Sequence, residues 1–320
     1  MSPKNVIHLS DEQAHAEREK RSAALSSVIA AVGLTSFKIV VGISTGSLGI
    51  LAEAAHSALD LVAAFVTYFA IRISVRPADR EHLYGHGKVE NLSAMFETML
   101  LLATCAWIIY EAINRIFFKT IAVEAPAWAF VVMAISIAID FTRSRVLYRA
   151  ARKHNSQALE ADALHFGTDI WSSAVVILGL VLVRVAELKK EWFFLEKADA
   201  IAALLVAIIV IYISIRLGVR TVQALLDAAP RGLYNKLKKM VEAVPGVIDC
   251  HNIRLRSSGP RVFIDIHILT DGSQSLNRAH ELTEMIEKTI LESIPGADII
   301  VHPEPYKGRR KERKHRREKK

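Results

Sequence analysis

Six long apolar stretches divide the first two thirds of the chain, and each is about as long as a membrane span. They cover residues 23–46, 48–75, 92–114, 127–148, 165–185 and 198–221. A helix needs about 20 predominantly apolar residues to cross the hydrocarbon core of a bilayer. The pattern therefore predicts a polytopic α-helical membrane protein, with a six-helix transmembrane domain over residues 23–221. A polar N-terminal segment, residues 1–22, precedes it.

The spacing of apolar residues changes after the sixth stretch and becomes typical of a small α+β domain. The predicted elements are helix 236–244, strands 247–257 and 261–269, helix 277–294 and strand 297–302. Both helices stop at or before a Pro-Gly pair, and a Ser-Ser-Gly-Pro turn joins the first two strands. The order α-β-β-α-β predicts helices that cover one face of a small sheet. We assign this domain to residues 222–305.

Charge distribution predicts the orientation of the helices. Loops and ends on the N-terminal side of the membrane hold 13 Lys and Arg residues before the last span, against 6 on the other side. Because positive residues concentrate in cytoplasmic loops, both termini are predicted to be cytoplasmic. We take the cell (inner) membrane as the default location.

The net charge of +8 comes mainly from the tail, residues 306–320, which contains the run GRRKERKHRREKK. A disordered, solvated run is one interpretation of this tail. Attraction to anionic lipid head groups is the other. No phosphate-binding glycine loop is present, so the sequence gives no indication of an ATP-driven pump. We expect no nucleic-acid partner.

Two short polar motifs with the same spacing of His and Asp interrupt the apolar pattern. HSALD contains His56 and Asp60, and HFGTD contains His165 and Asp169. Residues four apart lie on the same face of a helix. An ionisable side chain inside a bilayer costs about 2.5–3.5 kcal/mol or more, so it usually faces a cavity and serves a function. Hydrogen bonding between helices without a metal is the alternative explanation for each pair.

Two such pairs on separate helices can supply two imidazole nitrogens and two carboxylate oxygens to one ion. That donor set suits tetrahedral zinc, and the two carboxylates balance the charge of a divalent cation. Since the ligands must be deprotonated to hold metal, zinc binding releases protons and protonation expels zinc. The motifs therefore predict exchange of a metal ion for protons. A membrane metalloenzyme that activates water and a metal-sensing scaffold without transport are the alternatives.

The two motifs lie in the second and fifth predicted spans, and a short domain ending in IIVHPEP follows. In this combination the chain resembles the cation diffusion facilitators over roughly residues 20–305. The resemblance implies a transporter rather than an enzyme. It further implies a homodimer that exports divalent metal, chiefly zinc, from the cytoplasm in exchange for protons, and a ferredoxin-like cytoplasmic domain. Members with His at the position of His56 are mostly associated with zinc.

The resemblance also assigns roles outside the four-residue motif set. In the loop RPADREHLYGHGKVENL it implies a metal site formed by Asp79, His82 and His86. It implies that Lys88 pairs with an acidic residue at the start of the cytoplasmic domain, for which Asp227 is the candidate. An ordinary surface lysine is the alternative.

For the cytoplasmic domain the resemblance implies a structural or regulatory zinc site near the dimer interface. Its ligands are matched to His251, His267, His280, His302 and Glu304. They come from three strands and one helix, so spacing alone does not show that they converge.

Overall fold

The computed structural model describes residues 3–45, 48–117, 127–188, 198–230 and 232–306. Two compact units divide the chain. One comprises Ala14–Leu225, and the other comprises the residues up to Gln13 together with those from Leu226 onward.

The first unit is built from six long helices. They are α1 (Pro3–Thr45), α2 (Leu48–Ser74), α3 (Lys88–Phe117), α4 (Ala127–His154), α5 (Gln157–Leu188) and α6 (Ala198–Leu225). Helix α3 packs along α6, and α4 packs along α5. Small residues such as Ala24 and Ala63 are fully buried, whereas Trp107 and Tyr212 are exposed. Close approach at small residues is typical of helices that associate within a bilayer.

Four stretches of these helices are long and apolar enough to cross a membrane, within the residues that the structure describes. They are Ala14–Ser44, Ala54–Ser74, Lys88–Asn114 and Leu204–Leu225. Helix α4 carries Asp140, Arg143 and Arg145 within its length, and the side chains of α5 after Leu178 lie outside the described residues. The predicted count of six spans therefore stays a prediction.

Helix α1 begins at Pro3, well before the predicted start of the first span at residue 23. Its polar first half includes Lys20, which is buried and donates to Glu90 Oε1 of α3 at 2.6 Å. Ser74 donates to the same carboxylate at 3.0 Å, and Ser156 also donates to it. Because this buried charge pair is hydrogen-bonded on several sides, a buried lysine is tolerated just before the predicted first span.

The second unit contains a three-stranded sheet with two helices on one face. Its elements are α7 (Leu233–Glu242), β1 (Asp249–Ser258), β2 (Arg261–Asp271), α8 (Leu276–Ser293) and β3 (Asp298–Tyr306). Strand β2 lies in the centre, antiparallel to β1 and parallel to β3. This confirms the predicted order of elements, whereas the ferredoxin-like assignment stays a prediction. Residues 307–320, which include nearly all of the basic tail, lie outside the described residues.

The core of this unit forms between one face of the sheet and the two helices. Ile264, Ile266 and Ile268 of β2 are fully buried against Leu237 of α7 and Ile286 of α8. Alternate residues of β2 point to the opposite face because the side-chain period of a strand is two. His267 therefore lies on the face of the sheet opposite α7 and α8.

Candidate metal sites

The structure brings the four residues of the two membrane motifs together. His56 and Asp60 lie one turn apart on α2, and His165 and Asp169 lie one turn apart on α5. Asp60 Oδ1 is 3.1 Å from His165 Nε2 and 3.9 Å from His56 Nε2. Asp169 approaches the same two imidazoles, with Oδ1 3.9 Å from His56 Nε2 and Oδ2 3.8 Å from His165 Nε2. We call these four residues the quartet.

Within the quartet, one donor atom each from His56, Asp60 and Asp169 lies within 4.8 Å of the others, and His165 Nε2 approaches both carboxylates. Bonds of about 2.1 Å from a zinc ion to nitrogen or oxygen place the ligand atoms about 3.4 Å apart. The donor–acceptor distances of 3.1–3.9 Å bracket that value. Three of the four side chains are largely buried. Those of His165, Asp60 and Asp169 are 6%, 12% and 15% exposed, against 42% for His56. His56 therefore borders the open side of the site.

Several buried polar residues surround the quartet that the motif analysis did not single out. Arg143 of α4 donates to Asp140 at 3.2 Å and to Ser27 of α1 at 3.1 Å, and its guanidinium lies 3.5 Å from the centre of the Phe166 ring. Buried Glu97 lies on the far side of His165. Both Arg143 and Glu97 fall within predicted spans. A charged residue inside a membrane span usually has a function, so both residues could have been recognised as candidates from the sequence.

A second cluster lies in the loop between α2 and α3 and contains Asp79, His82 and His86. Asp79 Oδ1 is 3.3 Å from His82 Nδ1, and Asp79 Oδ2 is 3.3 Å from His86 Nε2. The two imidazole rings are 4.4 Å apart between centroids. One donor atom from each residue lies within 4.8 Å of the others, so the three can share one ion. We call these residues the loop cluster.

The backbone of the loop orients Asp79 toward the two histidines. The N–H groups of Glu81 and His82 donate to Asp79 Oδ1 at 2.9 and 2.6 Å. The hydrogen bond from the His82 N–H is the main cause of the lowered pKa of the Asp79 carboxyl. Gly85 adopts φ of 74°, a left-handed conformation that glycine accepts without strain, and it reverses the chain between the histidines. The carboxylate is thereby held ionised and ready to bind a cation.

The third cluster lies on the face of the sheet opposite α7 and α8 and comprises His251, His267, His302 and Glu304. Strand register places His251 opposite His267 and His267 opposite His302, so the three histidines form a row across β1, β2 and β3. Glu304 reaches this row, with Oε1 2.9 Å from His267 Nδ1 and Oε2 3.5 Å from His251 Nε2. The hydrogen bond from His267 lowers the pKa of the Glu304 carboxyl. We call these residues the sheet cluster.

Within the sheet cluster, one donor atom each from His251, His267 and Glu304 lies within 4.8 Å of the others. His302 is more peripheral, with Nε2 4.0 Å from Glu304 Oε1. His280 lies on α8, where it is 72% exposed and 3.7 Å from Glu284. Helix α8 covers the opposite face of the sheet, so the structure does not bring His280 together with the sheet cluster. A role for His280 stays a prediction.

Lys88 begins helix α3, and its Nζ donates to the backbone carbonyl of Leu225 at 3.1 Å. Leu225 ends α6, two residues before Asp227 in the chain. Asp227 has φ of 59°, an uncommon conformation for a residue other than glycine. The ion pair between Lys88 and Asp227 stays a prediction.

Comparison with protein families covers both units. The model of the cation efflux transmembrane domain matches residues 24–226. The model of the cytoplasmic domain of cation efflux proteins matches residues 229–306. The chain belongs to the cation efflux (cation diffusion facilitator) family. It is accordingly an integral membrane protein of a transporter family, not of an enzyme family.

Individual relatives of this cation efflux protein agree with the family match. The Cation-efflux pump FieF of Yersinia enterocolitica is 33% identical over 293 residues, which cover 89% of this chain and 92% of the relative. The FieF of Serratia proteamaculans is 32% identical over 288 residues, with the same two coverages. Among solved structures, a nickel form of the MamM CTD matches 24% of this chain and all of its own, at 23% identity and a TM-score of 0.24.

Proposed function

We propose that this protein exports divalent metal cations, chiefly Zn²⁺, from the cytoplasm in exchange for protons. The quartet of His56, Asp60, His165 and Asp169 would bind the transported ion. The observation that carries the proposal is that both carboxylates of the quartet lie within 3.9 Å of both imidazoles, between two helices. Two relatives named as cation-efflux pumps support the direction of transport.

The donor set supports zinc as the main substrate. Imidazole nitrogen is a softer ligand than carboxylate oxygen, and two of each suit the borderline-soft zinc ion better than manganese or magnesium. Two carboxylates also neutralise a divalent ion in a buried place. An ion of lower charge would leave the site negative, and burying an unbalanced charge is costly.

The same residues give the exchange its coupling. Zinc binds deprotonated ligands, so an ion that enters the quartet displaces protons from carboxyl and imidazole groups. An emptied quartet with two bare carboxylates would be costly inside a membrane, so protons return as the ion leaves. Metal binding therefore replaces protons by the ion, and metal release replaces the ion by protons. Transport of the metal in one direction moves protons in the other.

We propose that the loop cluster and the sheet cluster hold further zinc ions with structural or regulatory roles. Three donors within reach of one another support a site in each case. Their nitrogen-rich composition suits zinc. We also propose that the protein is a homodimer assembled through its cytoplasmic domain, with both termini cytoplasmic and the inner membrane as its location.

A flux measurement tests the proposed function. Full-length protein is reconstituted into liposomes with a zinc-sensitive dye inside, and zinc entry is recorded with and without an imposed pH gradient. We expect entry to require the gradient in the wild type. Asp169→Ala should abolish it, because the remaining three ligands leave the ion with an uncompensated charge.

Two results would contradict the proposal. Near-normal zinc entry in Asp169→Ala would show that the quartet does not carry the ion. Zinc binding without gradient-driven entry in the wild type would favour a metal-sensing scaffold instead.

A further inference from the structure

Behind the quartet, two buried polar atoms face each other without a hydrogen bond. His165 Nδ1 and Glu97 Oε2 are 4.0 Å apart, and neither has a hydrogen-bond partner among the described residues. The side chain of Glu97 is fully buried, and that of His165 is 6% exposed. Buried polar groups are nearly always hydrogen-bonded, so a pair of unsatisfied atoms at this distance points to an interaction that forms in another state.

Glu97 is held in place from its other side. Thr67 of α2 donates to Glu97 Oε1 at 3.1 Å, and Thr67 is itself 3.4 Å from Ser93 Oγ. Thr67 and Glu97 are both 0% exposed. The hydroxyl of Thr67 thus satisfies one carboxylate oxygen and leaves the other directed at the imidazole.

The charge balance around Glu97 singles out the same partner. Among the side chains that the structure describes, the imidazole of His165 is the one potential cation within 4.0 Å of this carboxyl. A buried carboxylate without a positive or donating neighbour is costly.

We propose that Glu97 is a positioning residue for the transport site, which rests on the quartet being that site. The Glu97 carboxylate accepts the Nδ1–H of His165, and this fixes the tautomer in which the lone pair of Nε2 faces Asp60 and Asp169. A cation bound at Nε2 draws electron density from the ring and strengthens the Nδ1–H donor. The 4.0 Å separation, about 1 Å longer than a hydrogen bond, therefore closes when the ion binds. A carboxylate behind a metal-bound imidazole also raises the basicity of the ligand.

The test uses full-length protein in detergent, titrated with Zn²⁺ at pH 7 by calorimetry. The loop cluster and the sheet cluster are disabled in every variant by four substitutions, namely His82→Ala, His86→Ala, His267→Ala and His302→Ala. Glu97→Leu removes the acceptor and should weaken zinc binding about 10–100-fold, the usual effect of losing such an outer partner. Glu97→Gln keeps an acceptor oxygen without the charge and should cause a smaller loss.

A double-mutant cycle separates positioning from a merely structural role. In a His165→Ala background, Glu97→Leu should weaken zinc binding by less than about 2-fold, because the residue acts through that imidazole. Thr98→Val is the matched control, since Thr98 is buried on the same helix and donates to the backbone carbonyl of Ala94. It should leave zinc affinity unchanged.

The outcomes of the cycle are distinguishable from failure of the quartet itself. If His165→Ala leaves zinc binding intact, the proposed transport site is wrong. If His165→Ala weakens binding but Glu97→Leu does not, or weakens it equally with and without His165, the positioning role is overturned. Should Glu97→Leu fail to give monodisperse protein, the same comparison is made with Glu97→Gln. Equal zinc affinity of Glu97→Gln and wild type would then overturn the proposal.

Discussion

Asp60→Asn offers a direct measure of how much charge balance contributes to metal binding. Asp60 Oδ1 is the carboxylate atom that contacts both imidazoles of the quartet, at 3.1 Å from His165 and 3.9 Å from His56. Asparagine keeps the shape of the side chain and an oxygen ligand, and removes one negative charge. With a divalent ion bound, the quartet would then carry a net charge of +1 in a place that is largely closed to water.

The size of the effect follows from the burial of Asp60, whose side chain is 12% exposed. Removing one partner from a buried charge pair costs about 3–5 kcal/mol. Taking about 3 kcal/mol, and about 1.4 kcal/mol for each factor of ten, zinc affinity should fall about 100-fold. A surface carboxylate would contribute at most about 1 kcal/mol, which is a factor of about five. The two cases are well separated by calorimetry.

The change is measured by calorimetric titration of Zn²⁺ into the full-length protein at pH 7, with the loop cluster and the sheet cluster disabled. Glu160→Gln is the matched control: it removes a carboxylate from α5, the helix of His165 and Asp169, where Glu160 pairs with the half-exposed Arg220. It should change zinc affinity by less than about 3-fold. If Asp60→Asn and Glu160→Gln gave equally small changes, charge neutralisation by Asp60 would be refuted as the source of zinc affinity.

Two further predictions concern selectivity and pH. His56→Asp replaces a nitrogen ligand by a harder oxygen and should reduce discrimination against manganese and cadmium several-fold in competition flux assays; an unchanged profile would place selection elsewhere. In the sheet cluster, the hydrogen bond from His267 holds the pKa of Glu304 below its ordinary value, so this carboxylate stays ionised between pH 7 and pH 5. Glu304 should therefore contribute equally to zinc binding throughout that range, measured on the protein with the quartet and the loop cluster disabled. Glu304→Gln should lower the whole pH curve without changing its shape, and a steeper curve in the wild type than in Glu304→Gln would contradict this.

The quartet could be predicted from the sequence because its geometry is local. A spacing of four residues places His56 beside Asp60 on any helix, and duplication of the motif suggested that the two pairs meet. Glu97 was missed because its role depends on how α3 packs against α5, which no spacing within one helix reveals. Its signal was a carboxylate within an apolar span.

The sheet cluster shows the opposite case, in which convergence depends on pairing between distant strands. The row of His251, His267 and His302 requires a specific register across three strands, and a bulge between His251 and Arg254 interrupts the ladder just after the first of them. Bulges are not visible in an alternating pattern of apolar residues. The placement of His280 has another cause: it lies on α8, and it depends on which face of the sheet that helix covers.

The row of histidines forms only when β3 pairs with β2 in one particular register. Strand β3 is at the edge of the sheet, and Pro303 and Pro305 have no backbone N–H to donate. If β3 paired with β2 one residue out of register, His302 and Glu304 would turn toward the helices. Ile300 and the two prolines would also change faces. Any ion shared between Glu304 and the histidines of β1 and β2 would link all three strands and so hold this edge strand in its register.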